Sequence, residues 1–361
     1  MRAIVTGQVG VEKGAYLEAV KTLAVQNGID LAVCHVGEMM YAEAPDIAKG
    51  RILNLPIARL NTLRRAVFKE ILGIAQRHEH VIVNTHATFR WRHGLFPAFD
   101  YDQVKAFNPD IYCSLLDNIE SVHQRLARDH DMDHTLKDLM VWREEELLAT
   151  EILANIARGY GHFFMISRGR AVPTVKTLYR LMFEPWRKKV YPSFPMSHVM
   201  DLPDTLAEID RFRAALAEHF ICFDPGDVDE YVLHTQGTQA AEAGKKDFVV
   251  AAADGPVTLN TDQVIQISGD IMGQIYARDF KMVDQSDMIV SLVPEFPNGK
   301  PGLSSGVERE LHHAYEGAKE VYVVWACRGM PSPFITETAT RVFRSVDEAL
   351  TYFREKGYIR S

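Results

Sequence analysis

The sequence predicts an α/β protein of two domains, each built on its own parallel sheet. Short β-branched runs alternate with longer helical patterns, as strand–helix–strand units do. The alternation breaks at Glu184-Pro185-Trp186-Arg187-Lys188-Lys189, where proline stops a helix, and then restarts. At 361 residues the chain is too long for one ordinary core and suits two of roughly 150 residues each. The boundary this implies puts one domain at 1–187 and the other at 188–361.

In the first half, strands are expected at Arg2–Thr6, Asp30–His35, His80–Thr85, Ile111–Leu116 and Phe163–Ser167. Helices fall between them at Gly14–Asn27, Thr62–Arg77 and Leu136–Gly159, with a shorter one at Thr174–Phe183. Arg143, Glu144, Glu145 and Glu146 read as a solvated face of the long helix. In the second half, strands are expected at Val190–Phe194, Phe220–Phe223, Met288–Val293 and Glu320–Trp325. The helices there are Asp204–Glu218, Ile265–Asp284, Gly306–Gly317 and Val346–Lys356. Thr235–Thr261, rich in Ala, Gly and Lys, reads as a mobile loop or insertion.

Composition narrows the function classes. With 47% hydrophobic, 24% charged and 10% aromatic residues the chain is neither disordered nor collagen-like. No apolar run approaches the roughly 18 residues of a membrane helix. The first residues turn glycine-rich too soon for a signal peptide. A net charge of −8 argues against duplex nucleic acid, yet leaves room for a local basic pocket holding one phosphate. Cys34, Cys113, Cys222 and Cys327 lie far apart in β-like runs, which suits buried thiols in a reducing cytoplasm.

Gly7-Gln8-Val9-Gly10-Val11-Glu12-Lys13-Gly14 follows the first strand and opens a helix, where backbone N–H groups cradle an anion. Against the pattern G-x-x-x-x-G-K-[ST], Gly7 and Lys13 are in place, with Gly10 between them. The second glycine is Glu12, and the hydroxyl that would meet Mg²⁺ is Gly14.

This half resembles the archaeal-type adenylate kinases and related P-loop nucleoside monophosphate kinases. Their loop, Val-Thr-Gly-x-Pro-Gly-Val-Gly-Lys-Ser/Thr, is echoed by Val5–Gly14, and their Asp-Thr-His-Ala by Asn84-Thr85-His86-Ala87. Asn108-Pro109-Asp110-Ile111 and the lid-like Arg125 and Arg128 extend the likeness. The resemblance implies a P-loop kinase-like parallel sheet with ATP or another nucleotide as ligand. The departures at Glu12, Gly14 and Asn84 make it degenerate, and whether Mg²⁺ is used stays open.

The second half carries its own constellation. Tyr191-Pro192-Ser193-Phe194-Pro195-Met196-Ser197-His198 ends a strand, where parallel sheets place ligand loops. Asp279 lies on a helix, and Asp287, read as a turn residue, precedes the next strand. Gly302-Leu303-Ser304-Ser305-Gly306-Val307-Glu308-Arg309-Glu310 is a second anion cradle leading into a helix. Glu310 is expected in the first turn or so, where the helix dipole favours its ionised form.

The order of these parts resembles the nucleoside 2-deoxyribosyltransferase superfamily, most closely its 2'-deoxynucleoside 5'-phosphate N-hydrolase branch. Tyr191 with Phe194-Pro195, Asp279 with Ser286–Val290, and Ser304–Ala314 match that family's motifs in turn. The resemblance implies a Rossmann-like, flavodoxin-like domain cleaving or transferring an N-glycosidic bond, with no metal required. It casts Glu310 as nucleophile or charge partner, Asp279 as sugar-orienting or proton-passing group, and Tyr191 as positioner of Glu310. Ser304, Ser305, Gly306, Ser197 and Pro195 would surround a 5'-phosphate, and Ser332 would reach a neighbouring subunit's site in a homodimer or higher homo-oligomer. The partner class is a nucleoside or nucleotide, with no duplex nucleic acid and no membrane. Three readings stay open: this glycosidase or transferase, a nucleoside monophosphate kinase with altered metal handling, and a non-catalytic nucleotide sensor.

Overall fold

A computed structural model describes residues 1–48, 50–91, 94–130, 134–169, 174–196 and 199–360. The chain begins β1 (Arg2–Thr6), α1 (Lys13–Gln26), β2 (Leu31–His35), α2 (Val36–Glu43), α3 (Ile57–Arg77) and β3 (His80–Asn84). It continues β4 (Thr88–Trp91), β5 (Gly94–Pro97), α4 (Tyr101–Phe107), β6 (Ile111–Leu116), α5 (Ile119–His130), α6 (Leu136–Ala157), β7 (Phe163–Ser167) and α7 (Val175–Phe183). Next are β8 (Lys189–Ser193), α8 (Pro203–His219), β9 (Ile221–Cys222), α9 (Tyr231–Glu242), β10 (Asp247–Ala252), β11 (Gly255–Asn260) and α10 (Thr261–Gln266). The last elements are α11 (Ser268–Asp284), β12 (Met288–Pro294), α12 (Ser305–Glu316), β13 (Glu320–Ala326), α13 (Pro333–Thr336), β14 (Arg341–Phe343) and α14 (Val346–Glu355).

Two compact units result, and neither is continuous in sequence. The first comprises Met1–Phe183 and Val232–Asp270; the second comprises Glu184–Tyr231 and Ile271–Ser361. This departs from the single cut at 187/188, because residues 232–270 pack with the first unit. That segment is also no loop: it forms α9, the antiparallel hairpin β10–β11 and α10. Alternation holds the hairpin down, with Val250 and Leu259 buried while Val249 stands in solvent. Gly237 of α9 permits the close approach, since a Cβ there would lie 2.5 Å from Val264.

The first unit is built on a parallel sheet in the order β2-β3-β1-β6-β7. Its central strand shows why β-branched runs appear: Ala3, Ile4 and Val5 are buried on both faces, as a sheet covered by helices requires. α6 starts at a capping box, in which the Thr135 hydroxyl accepts from the Asp138 N–H and the Asp138 carboxylate accepts from the Thr135 N–H. Burial on α6 recurs at Leu139, Met140, Arg143, Glu146, Leu147, Thr150 and Leu153, the spacing of one helix face. Arg143 and Glu146 therefore point inward, which corrects the solvated-face expectation for these two residues.

The second unit is built on a parallel sheet in the order β14-β13-β12-β8-β9. Strand order reverses between β8 and β12. Their register pairs Tyr191 with Ile289 and Ser193 with Ser291. Asp287 does more than turn the chain: its carboxylate accepts from the Lys189 N–H at 2.8 Å and pins the start of β8. Three of the four cysteines are buried and Cys222 is partly so; all are free thiols.

Candidate functional site

Each unit places chemistry-bearing side chains at its own sheet. In the first, the loop after β1 needs its glycines. Gly7 adopts φ 139°, and a Cβ there would lie 2.5 Å from the Leu115 carbonyl oxygen. Gly10, at φ 86°, presses on Val122 and Leu126. Glu12 keeps the left-handed backbone (φ 55°, ψ 48°) that a glycine would ordinarily supply. For a residue with a Cβ that conformation costs about 1–2 kcal/mol.

Lys13 is buried, and its ammonium donates to the Gly7 carbonyl at 2.5 Å, with His86 Nε2 at 3.4 Å. Burial pulls its pKa down to about 8, against the pull of the Glu146 charge. Glu146 is the centre of this half, and the sequence reading missed it. Its carboxylate accepts from the N–H groups of Gly7 (3.3 Å), Ala87 (2.8 Å) and Thr88 (2.9 Å), and from the Thr88 hydroxyl at 2.6 Å. Burial alone would raise its pKa, yet His86, Lys13 and Thr88 draw it down to about 2. The available signal was a charged residue recurring at a core position of an amphipathic helix.

Glu12 is paired with arginines. Arg168 donates to it at 2.7 Å, with Arg128 at 3.5 Å and Arg125 at 3.7 Å. Arg125 is fully buried and also donates to Asp117 (2.7 Å), the Gly10 carbonyl (3.1 Å) and Asp254 (2.9 Å). The expected lid arginines are thus gathered at the loop, together with Arg168 and Asp254, which the sequence reading had not singled out. The residues do not fit Mg²⁺ as a P-loop usually holds it. A Cβ on Gly14 would have room, its nearest neighbour lying 4.0 Å away, but the chain supplies no hydroxyl there. Asn84 is engaged with His35, 2.8 Å from its Nδ1.

In the second unit, Glu310 and Tyr191 come together as expected. The Tyr191 hydroxyl donates to Glu310 Oε1 at 2.9 Å, and the Ser193 hydroxyl donates to Oε2 at 2.6 Å. Ser193 was not among the expected site residues. Its signal was period two, since residues two apart on a strand share a face. Glu310 is the sixth residue of α12 and so lies in the second turn, which corrects the first-turn placement. Burial raises its pKa while the two hydroxyls pull it back.

Asp279, on α11, is buried beside this group. Burial, opposed by Arg278 and reinforced by the charges of Glu310 and Asp229, raises its pKa to about 7. Its Oδ1 accepts no hydrogen bond among the described residues, and Arg278 Nε stands 4.0 Å off. Burial, then the charges of Asp279 and Glu310, push the Tyr191 phenol well above its ordinary range, which keeps it a donor.

The expected phosphate ligands divide. Ser304 is the N-cap of α12, its hydroxyl accepting from the Val307 N–H at 3.2 Å; Ser305 and Gly306 form the exposed first turn. Pro195 is buried, next to Phe194, whose ring lies under the Arg213 guanidinium. Ser332 is exposed at the start of α13. Ser197 lies outside the described residues. Among the described residues no helix is long and apolar enough to cross a membrane.

Comparison with known proteins bears on the first unit. Over 150 residues the chain is 27% identical to an adenylate kinase of Pyrococcus furiosus, a match covering 40% of this chain and 74% of that protein. A family model described as an AAA domain matches residues 6–143. The N-terminal region is P-loop kinase-like and of the nucleotide-binding kind.

Proposed function

We propose that the second unit cleaves or transfers the N-glycosidic bond of a nucleoside or nucleoside 5'-monophosphate, while the first binds a nucleotide without working as an ordinary kinase. The observation that carries this is a buried glutamate held by two hydroxyl donors beside a buried, protonatable aspartate. A carboxylate fixed by two hydroxyl donors beside a second, proton-holding carboxyl group can divide the roles that cleavage of a glycosidic bond needs. Against burial, which raises its pKa, the hydroxyls of Ser193 and Tyr191 favour the ionised form of Glu310 that would meet an oxocarbenium-like anomeric carbon. Asp279 carries the proton for the departing base. Tyr191 and Ser193 fix the carboxylate's direction.

Topology supports the same reading. Counted within the unit, the strand order is 2-1-3-4-5, the flavodoxin-like order, whose ligand crevice opens where the order reverses. Tyr191 and Ser193 lie on β8 at that reversal, and α12 follows β12 on its other side. The reading extends to a homodimer in which Ser332 completes a neighbouring site, and it asks for no metal at Glu310. Its test is incubation with a panel of nucleosides and nucleoside monophosphates, scoring free base by chromatography. Release from at least one member is the expected result.

The pH profile follows from Asp279. Because its pKa is raised to about 7, the group is protonated below that pH and loses its proton above it. Base release, as kcat/KM, is expected to fall as pH rises through about 7. Asp279→Asn should remove that limb along with most of the rate.

A nucleoside monophosphate kinase is the second reading, favoured by the adenylate kinase similarity and by Lys13 in its expected place. The pairing of Glu12 with three arginines and the bare Gly14 count against it. Purified protein is expected to show no Mg²⁺-dependent phosphorylation of nucleoside monophosphates. Robust phosphorylation that Lys13→Ala abolishes would establish the kinase instead.

A further inference from the structure

The tip of the β10–β11 hairpin touches the loop region of the first unit at several points. The Ala253 N–H donates to the Ser121 hydroxyl at 3.0 Å, and the Gln124 amide donates to the carbonyls of Gly255 and Pro256 at 3.3 and 3.4 Å. Asp254, in the turn between the strands, pairs with Arg125 at 2.9 Å and Arg128 at 3.4 Å. Glu12 reaches the same two arginines and Arg168 from the loop side. Asp117 and Asp129 also pair with these arginines, so among the described residues each of the three guanidiniums meets at least two carboxylates.

Each of these three guanidiniums is thus already paired. A polyphosphate arriving at the loop would meet a seat already neutralised, with two carboxylates where its own oxygens would go. Nearby groups are nonetheless unsatisfied. The side-chain amides of Gln8 and Asn118, both buried and both following neighbouring strands of the sheet, meet no hydrogen-bond partner among the described residues. Buried amides left bare are rare in a finished core, and they mark a place that an incoming polar group completes. The hairpin that covers it is a two-stranded ribbon, an element with little stability of its own.

We infer that the β10–β11 hairpin is a built-in plug: Asp254, with Glu12, occupies the arginine seat, and a nucleotide's polyphosphate enters by displacing Asp254. Release gives up the bonds that Asp254 makes to Arg125 Nε and Arg128 Nη1, which then turn to phosphate oxygens while Asp117 and Asp129 keep their own pairs. The device regulates the kinase-like unit and does not depend on base release, so failure here leaves the glycosidic reading untouched.

Calorimetry on the full chain with ATP, in chelator, tests it. Asp254→Asn is expected to bind ATP at least about tenfold more tightly than the parent protein. Asp262→Asn, the same charge change at an exposed site on α10, should shift affinity less than about twofold. Ser121→Ala frees the hairpin tip without altering any charge and should also tighten binding, which serves if Asp254→Asn folds poorly. Hydrogen exchange of the Asp247–Asn260 amides should rise when ATP saturates the parent. Asp254→Asn binding no tighter than the parent, absence of ATP binding by either protein, or bound ATP with unchanged hairpin exchange would each overturn the plug.

Discussion

Glu310→Gln is expected to slow base release by about a thousandfold or more, roughly 4 kcal/mol of lost transition-state stabilisation, while leaving the protein folded. Glutamine fills the same space and keeps an oxygen for the Tyr191 hydroxyl, and its amide can donate to Ser193. What it lacks is the negative charge. In the proposed reaction that buried charge stabilises the developing cation at the anomeric carbon, aimed by its two hydroxyl donors. Removing a buried charge also removes its desolvation cost, so the melting temperature should hold or rise. Single-turnover base release and a thermal melt, run on the same preparation, check both halves. Parent-like release by Glu310→Gln would end the glycosidic assignment for this site.

Glu146→Ala should have the largest effect on stability, about 3–5 kcal/mol by urea denaturation of the full chain. The substitution strips three backbone N–H groups and one hydroxyl of their acceptor, in a place without water access. It also leaves Lys13, a buried cation, without the charge that holds it protonated. Acid should reproduce part of the loss. Glu146 titrates near 2 in the folded protein against an ordinary 4.5, so its contribution is complete above about 4.5 and disappears as pH falls through about 2. The pKa difference corresponds to about 3 kcal/mol. A Glu146→Ala protein as stable as the parent would mean that the loop carries itself without this carboxylate.

The sheets were legible because buried parallel strands leave a plain mark. Ile111–Leu116 and Phe163–Ser167 are near-continuous runs of apolar residues, and their bounds match the sequence reading residue for residue. The hairpins were not, for the opposite reason. β10–β11 reads Asp-Phe-Val-Val-Ala-Ala then Gly-Pro-Val-Thr-Leu-Asn, too short and too mixed to separate from a loop. The return of residues 232–270 to the first unit is a long-range packing fact with no local signature. Among site residues, Glu310 and Tyr191 were found as a motif and meet at hydrogen-bond distance. Ser193 and Glu146 escaped because each looks ordinary alone. A serine beside a proline suggests a turn, and a glutamate within Arg-Glu-Glu-Glu suggests solvent. Only the strand's period of two and the helix's 3.6-residue period put them inside.

The interleaved chain path has a consequence for how the protein is made. Residues 232–270 emerge from the ribosome only after Glu184–Tyr231, the opening portion of the second unit, has already left it. The first unit therefore cannot close when its main stretch is translated. Through that interval Arg125 and Arg128 wait without Asp254 as a counter-charge, and Ser121 waits without the Ala253 N–H. Domains usually complete one after another as the nascent chain lengthens. Here the earlier domain must stay open until part of the later one has been synthesised, which ties maturation of the nucleotide-binding region to delivery of the C-terminal half.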